Sequence, residues 1–179
     1  GSFGTSFNTS GDTYSFDPRG ANTPPEKSRN LELGGSIDWA EGRFTTRFAL
    51  FHATKYNERN DDVDTVDETN YILSGQRHAA GIDLDFAGRL TRDWELFAAY
   101  TWIPDAKVDK GASNGTTLIQ GEVVGERPAM TPRHSGTVWT TYRLDARWRV
   151  GGGLNARSGV KPLLASFEAP RFVTADLMA

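Results

Sequence analysis

Apolar and polar residues alternate with a period of two along most of the chain, the pattern of strands with one greasy and one wet face. Between 80 and 86, Ala80, Ile82, Leu84 and Phe86 share one phase, and Gly81, Asp83 and Asp85 the other. A polar break follows at Thr91, Arg92 and Asp93. The phase then resumes, with Trp94, Leu96, Ala98, Tyr100 and Trp102 against Glu95, Ala99 and Thr101, and Phe97 out of place. The same reading predicts strands over 2–7, 29–39, 44–57, 71–89, 94–103, 133–144, 148–157 and 172–179. On the second, Leu31, Leu33, Ile37 and Trp39 oppose Glu32, Ser36 and Asp38. On the third, Phe44, Phe48 and Leu50 oppose Thr45, Arg47, Lys55 and Asn57, while Phe51 fits neither face. Val138 and Trp139 are adjacent, so the faces of the sixth strand stay open. The two strands around 75–102 exceed the about five or six residues usual in a globular sheet and reach the about nine to eleven that cross a bilayer.

The connections alternate as well. Those at 8–27, 58–70, 104–131 and 158–171 are long, and those at 40–43, 91–93 and 145–147 are short. An up-and-down barrel in an outer membrane sorts its connections in this way, short turns in the periplasm and long loops outside. A soluble sandwich has no reason to. On this reading Glu41, Arg92 and Asp145 face the periplasm, and Tyr14, Asp62 and Gly111 the exterior. Trp39, Trp94 and Trp148 each stand beside a short turn, as a periplasmic aromatic belt would. The expected fold is all-β, an antiparallel up-and-down transmembrane β-barrel. About eight strands can close a small barrel. Here, however, the chain begins and ends in mid-strand, and a terminal aromatic strand is missing, so the expectation is a fragment of a larger barrel.

Composition adds bounds rather than a decision. No run among the 179 residues approaches the about 18 apolar residues of a membrane helix. A barrel strand meets lipid only at every second residue, so that observation does not count against a barrel. Nineteen Gly and ten Phe, with five Trp and five Tyr, fit a large sheet with aromatic girdles, and fit a soluble sandwich equally. The absence of Cys removes disulfides, thiolate metal sites and a cysteine nucleophile. A net charge of −3 gives no basis for a nucleic-acid partner.

No catalytic constellation stands out. His52, His78 and His134 are scattered, and His134 and Ser135, being adjacent on a strand, point to opposite faces. The acidic run over 61–68 offers carboxylates to Ca²⁺ but lacks the order and the central Gly of an EF-hand loop, and reads as a solvated loop. Asp83 and Asp85 share a face two residues apart. They read as lumen-facing carboxylates that meet Arg47, Arg149 or Arg157, rather than as an acid–base pair. No catalytic and no metal-binding residue is assigned.

Four stretches carry a family resemblance: GQRHAAGIDLDFAGRLTRDWELFAAYTW at 75–102, TPPEKSRNLELGGSIDW at 23–39, GERPAMTPRHSGTVWTTYRL at 125–144 and APRFVTADLMA at 169–179. FGTSFN at 3–8 matches a strand end of the same kind. Together they resemble, in order, the barrel domain of TonB-dependent siderophore receptors. The resemblance implies a barrel of about 22 strands with a plug in its lumen. Residues 1–179 would be part of its wall, with the plug, the segment that touches TonB and the final strands absent. It implies a multi-pass protein of the Gram-negative outer membrane that imports ferric siderophores into the periplasm. Its partners would be the ferric siderophore, TonB and outer-membrane lipid, with no nucleic acid, no enzymatic activity and no cofactor. Such a ligand is oxygen-rich, often anionic or aromatic, and suits basic and aromatic side chains on the outer loops. Tyr14, Phe16 and Arg19 in the first loop fit, as do Tyr56, Arg59, Trp102 and Lys107 near the mouths of strands. For each of these, a girdle or surface role competes with ligand contact. The rival readings are a soluble β-sandwich binding module, a passive porin-like channel and an outer-membrane enzyme.

Overall fold

The computed structural model describes residues 1–8, 25–61, 71–110, 123–162 and 167–179. Eight strands run through them: β1 (Ser2–Asn8), β2 (Glu26–Trp39), β3 (Phe44–Asp61), β4 (Tyr71–Arg89), β5 (Trp94–Lys110), β6 (His134–Arg143), β7 (Arg149–Arg157) and β8 (Phe172–Met178). They form one sheet in sequence order, each antiparallel to the next. Among the described residues β1 and β8 do not meet, so the sheet is open.

The three short turns lie at one end and are built differently. At 40–43, Arg43 N–H reaches Ala40 C=O at 3.3 Å across Glu41 and Gly42, both at positive φ (59° and 77°), the hand that a tight hairpin needs. In the next turn Leu90 N–H donates to Trp94 C=O at 2.9 Å, and Leu144 N–H repeats the bond to Trp148 at 3.0 Å. Asp145 Oδ1 accepts from the backbone of Arg147 and Trp148 at 2.7 and 2.8 Å, which pins the last turn. Arg143 bridges to Asp93 at 2.7 Å and ties the second turn to the third.

At the other end the strands run on past the expected limits. β3 continues to Asp61 rather than stopping at Asn57, because Asn57 (φ 56°) is absorbed as a bulge. β5 continues to Lys110 rather than Ile103. Ile103 and Pro104 there face only Gly81, a bulge that suits a proline with no N–H to give. The bulge breaks the alternation without ending the pairing. The returning chain then pairs with β5, with Val108 N–H on Glu126 C=O at 2.9 Å and Gly125 N–H on Val108 C=O at 2.8 Å.

Burial departs from that of a soluble domain. Among the described residues the buried apolar side chains are Ala106, Val108 and Val160, all beyond the bulge or in the last long connection. Leu33, Ile37, Leu50, Val138 and Leu154 are exposed, as are many other large apolar residues. Among the described residues nothing covers the apolar face, and water is a poor solvent for it.

Candidate functional site

Register assigns every strand residue to one of two faces. The apolar face carries Leu33, Leu50, Ile82 and Trp102 in one row across β2–β5. Farther along, Ala98 stands beside Val138, and Val138 beside Leu154. The open question at Val138 and Trp139 closes here: Val138 joins the apolar face and Trp139 the other.

Two aromatic clusters border this face. Near the short turns Trp39 stacks on Phe44 at 4.5 Å, Phe44 on Phe86 at 5.7 Å, and Trp94 meets Tyr142 edge-on at 6.4 Å. Trp39 Nε1 and Trp94 Nε1 donate to Thr46 and Thr140 at 3.1 and 2.6 Å, which satisfies these two indole donors on the apolar face. Toward the long connections Trp102 lies parallel to His134 at 6.4 Å, and Tyr100 OH bonds His134 Nδ1 at 2.8 Å. Along β5, Trp94 and Trp102 bracket about 26 Å of strand, which at a barrel strand's tilt of about 40° rises about 20 Å, most of an apolar band about 25 Å tall.

The opposite face is a polar lattice. Thr101 donates to Asp83 at 2.6 Å, Thr45 to Asp38 at 2.6 Å, and Asn155 to Asp176 at 3.1 Å. Arg149 and Arg89 flank Glu95 at 3.7 and 3.8 Å. Arg47 stands opposite Asp85 in register, and Arg157 lies 4.8 Å over the Phe172 ring. Asp83 and Asp85 thus sit on the wall expected of them, although Asp83 takes its bond from a threonine. Above the wall Glu58, a buried carboxylate, holds Lys55 at 3.0 Å and also Arg77. Burial disfavours the Lys55 ammonium, yet Glu58 and Glu26 outweigh it and hold its pKa above the usual lysine value.

Besides Phe172, three aromatics break the polar face among the described residues, and two of them have a reason. A Cβ on Gly81 would overlap the Phe51 ring, and one on Gly153 would overlap the Trp139 ring. Each ring covers a glycine of the neighbouring strand. Phe97 stands across from Trp139. With Arg43, Arg89, Glu95 and Arg149 these two rings line a concavity near the short-turn end.

The expected ligand contacts distribute as follows. Tyr14, Phe16 and Arg19 lie outside the described residues, and so does the side chain of Arg59. Tyr56, Trp102 and Lys107 all fall on the apolar, outward face, in register with Gln76, Ile82 and His78. The acidic run over 62–68 also lies outside the described residues. No cluster of three or more His, Cys, Asp or Glu able to hold a metal occurs among the described residues.

The profile of the family described as TonB dependent receptor-like, beta-barrel, matches residues 1–179. The chain belongs to this family. The metal-pseudopaline receptor CntO of Pseudomonas aeruginosa is 31% identical over 97% of this chain and 23% of its own length. The crystal structure of the siderophore receptor PiuA from Acinetobacter baumannii superposes with a TM-score of 0.78 at 22% identity, covering 98% of this chain and 26% of that one. The ferric-catecholate receptor Fiu of E. coli gives a TM-score of 0.72 at 20% identity, over 98% and 25%. This TonB-dependent receptor segment thus spans about a quarter of the length of the relatives it matches. The family is one of outer-membrane β-barrel receptors, and the two-faced open sheet is part of such a barrel.

Proposed function

We propose that these residues form part of the wall and outer rim of a receptor that imports ferric siderophores across a Gram-negative outer membrane. The wall itself performs no bond chemistry and needs no cofactor. Its apolar face meets lipid, and its polar lattice lines a hydrated lumen that holds a plug. The plug, carried elsewhere in the protein, is pulled by TonB and releases the ligand inward. The observation that carries this reading is the bare apolar face bordered by two aromatic clusters, on a chain whose relatives include a probable TonB-dependent siderophore receptor. A soluble sandwich would cover that face with a second sheet.

Ligand capture falls to the long connections, with Tyr14, Phe16, Arg19 and Arg59 as the candidate contacts. The outward register of Tyr56, Trp102 and Lys107 favours a rim and girdle role for them. A second ligand class deserves the same test, since one relative is a receptor for metal-pseudopaline, a chelate not limited by its name to iron. The experiment is uptake of radioactive iron, and separately of zinc or nickel, as chelates, by cells carrying the full-length receptor with and without TonB. TonB-dependent iron uptake supports the proposal. Metal uptake other than iron moves the ligand class, and uptake indifferent to TonB would make the protein a passive channel.

A further inference from the structure

Above the apolar band the outward face changes character within two rows. The row of Leu31, His52, Ala80 and Asp105 is the last with aliphatic members. The next row is Arg29, Thr54, His78 and Lys107, and the one above it is Lys27, Tyr56, Gln76 and Lys110. Across these four strands, about 4.8 Å apart, β2, β4 and β5 therefore present five basic groups in adjacent rows about 7 Å apart, while β3 contributes Thr54 and Tyr56. Arg29, Lys27, Lys107 and Lys110 are exposed. The Arg29 guanidinium lies 5.2 Å over the Phe3 ring, which fixes it on the outward face. Two carboxylates belong to the same patch. Asp109 bonds His78 Nδ1 at 2.8 Å, and Asp105 lies 3.2 Å from His78 Nε2 and 3.8 Å from Lys107. Four Lys and Arg cations, with His78 beside them, against two carboxylates leave the patch positive on a chain of net charge −3.

The bonds to Asp109, with Asp105 second, hold the His78 pKa above the usual histidine value. His78, chiefly, keeps Asp105 below the usual carboxylate value. The carboxylates therefore favour the charged form of His78, while Arg29, Lys27 and Lys110 remain exposed.

We infer that this outward patch on β2–β5 seats the phosphate-bearing headgroup of an anionic outer-leaflet glycolipid, with its acyl chains on the Leu31, Leu33, Leu50 and Ile82 rows below. The inference rests on the apolar face meeting lipid, as proposed above, and not on the identity of the transported ligand. A molecule passing through the lumen cannot reach this patch, because the wall stands between them. The depth is right for a lipid phosphate, since the basic rows begin directly where the aliphatic rows stop. Guanidinium and ammonium groups supply charge-assisted bonds to phosphate oxygens. Tyr56 and Gln76 add donors and acceptors suited to sugar hydroxyls.

The test uses the full-length receptor in nanodiscs of phosphatidylcholine doped with rough-form, doubly phosphorylated lipopolysaccharide, with bound lipid counted by native mass spectrometry. The triple variant Lys27→Gln, Arg29→Gln, Lys107→Gln should lose affinity for that lipid by about tenfold or more. The charge-preserving variant Lys27→Arg, Arg29→Lys, Lys107→Arg should retain it, which separates charge from any effect on folding. Wild-type protein should prefer the doubly phosphorylated lipid over the same lipid stripped of phosphate. Equal binding by the neutral variant, or no preference for the phosphorylated lipid, overturns the inference. So does displacement by millimolar inorganic phosphate, which would mark a site for a free anion. Siderophore uptake is not read in any arm, so failure here and failure of the transport reading remain distinct.

Discussion

Ala98 and Ala99 are neighbours on β5 that face opposite ways, and arginine at each should have very different consequences. Ala98 is in register with Phe86 and Val138, Ala99 with Asp85 and Thr137. Ala98 also stands midway between Trp94 and Trp102, about 13 Å of strand from each. Arginine at Ala98 must bring its charge to the middle of the hydrocarbon, at a cost of about 2–4 kcal/mol. Alanine has little packing to lose, so this term dominates. Arginine at Ala99 enters the polar lattice opposite Asp85, and its effect should stay within about 1 kcal/mol. A third site controls for depth. Ala80 shares the outward face but lies in the last aliphatic row, beside His52 and Asp105. Arginine there can reach the interface and should cost about 0–1 kcal/mol. The contrast between Ala98→Arg and the other two, about 1–4 kcal/mol, is roughly fivefold to several hundred-fold in the folding constant, at about 1.4 kcal/mol per tenfold. Guanidinium-dependent refolding of the full-length receptor into phospholipid vesicles, followed by tryptophan fluorescence, measures it. Equal costs at Ala98 and Ala99 would refute the assignment of faces. Equal and large costs at Ala98 and Ala80 would point to a dry protein core with no depth profile.

Gly153→Ala should lower the melting temperature by overpacking worth about 1–3 kcal/mol, because the new methyl overlaps the Trp139 ring, and Trp139→Ala in the same chain should restore part of the loss. Absence of any restoration would reject the pairing of ring and glycine. Asp93→Ala removes the link from Arg143 between two turns; both side chains are about half exposed, so a double-mutant cycle should give a coupling of only about 0.2–1 kcal/mol. A coupling well above that range would mean the link is not solvent-screened. His78 has a raised pKa in the folded protein, so its contribution is full below the unfolded value of about 6.5 and disappears as pH rises through the folded value. Stability should therefore fall across that window in the wild type and lose this component in His78→Gln, as read by denaturant midpoints taken from pH 5.5 to 9.

The two faces were legible because lipid and lumen impose opposite demands at alternate positions, so Leu33, Ile82 and Leu84 could be told from Glu32 and Asp83 by alternation alone. What escaped were places where the phase slips or where a partner strand excuses an exception. Simple alternation from Trp102 puts Lys107 on the lumen side. The bulge at Ile103 and Pro104 inserts an extra residue and turns Lys107 outward and Val108 inward, where it is buried to 2% exposure. No local pattern announces that slip, except that a proline inside a paired strand demands one. Asn57 does the same on β3, and its tolerance for positive φ was the available signal. Phe51 fitted neither face and Trp139 left its strand's faces open because each is explained by a glycine on the next strand, a relation that exists only once register is known. The basic patch on β2–β5 was hidden for a related reason: its members lie up to 83 residues apart in the chain and meet only through three successive pairings.

The open edges set the final constraint on how this wall is used. β1 and β8 have seven residues each and are paired along one side only among the described residues. An antiparallel strand turns about half of its N–H and C=O groups to each side, so each edge presents several unpaired polar groups. In hydrocarbon each such group costs several kcal/mol, and the two edges together reach of order tens, beyond the roughly 5–15 kcal/mol by which a domain is stable. Both edges must therefore be paired in the membrane. Pairing β1 with β8 would make an eight-stranded barrel, whose interior is about wide enough only for its own side chains. That interior would have to enclose Arg47, Asp83, Asp85, Glu95 and Arg149 alongside Phe97 and Trp139, with little water to solvate the charges. Additional strands on both sides open the circle and keep that lattice hydrated. The relatives, of which this chain covers about a quarter, have the length to provide them. The charged lattice on the inner face and the length of the relatives thus favour the same arrangement, a sector of a wide barrel.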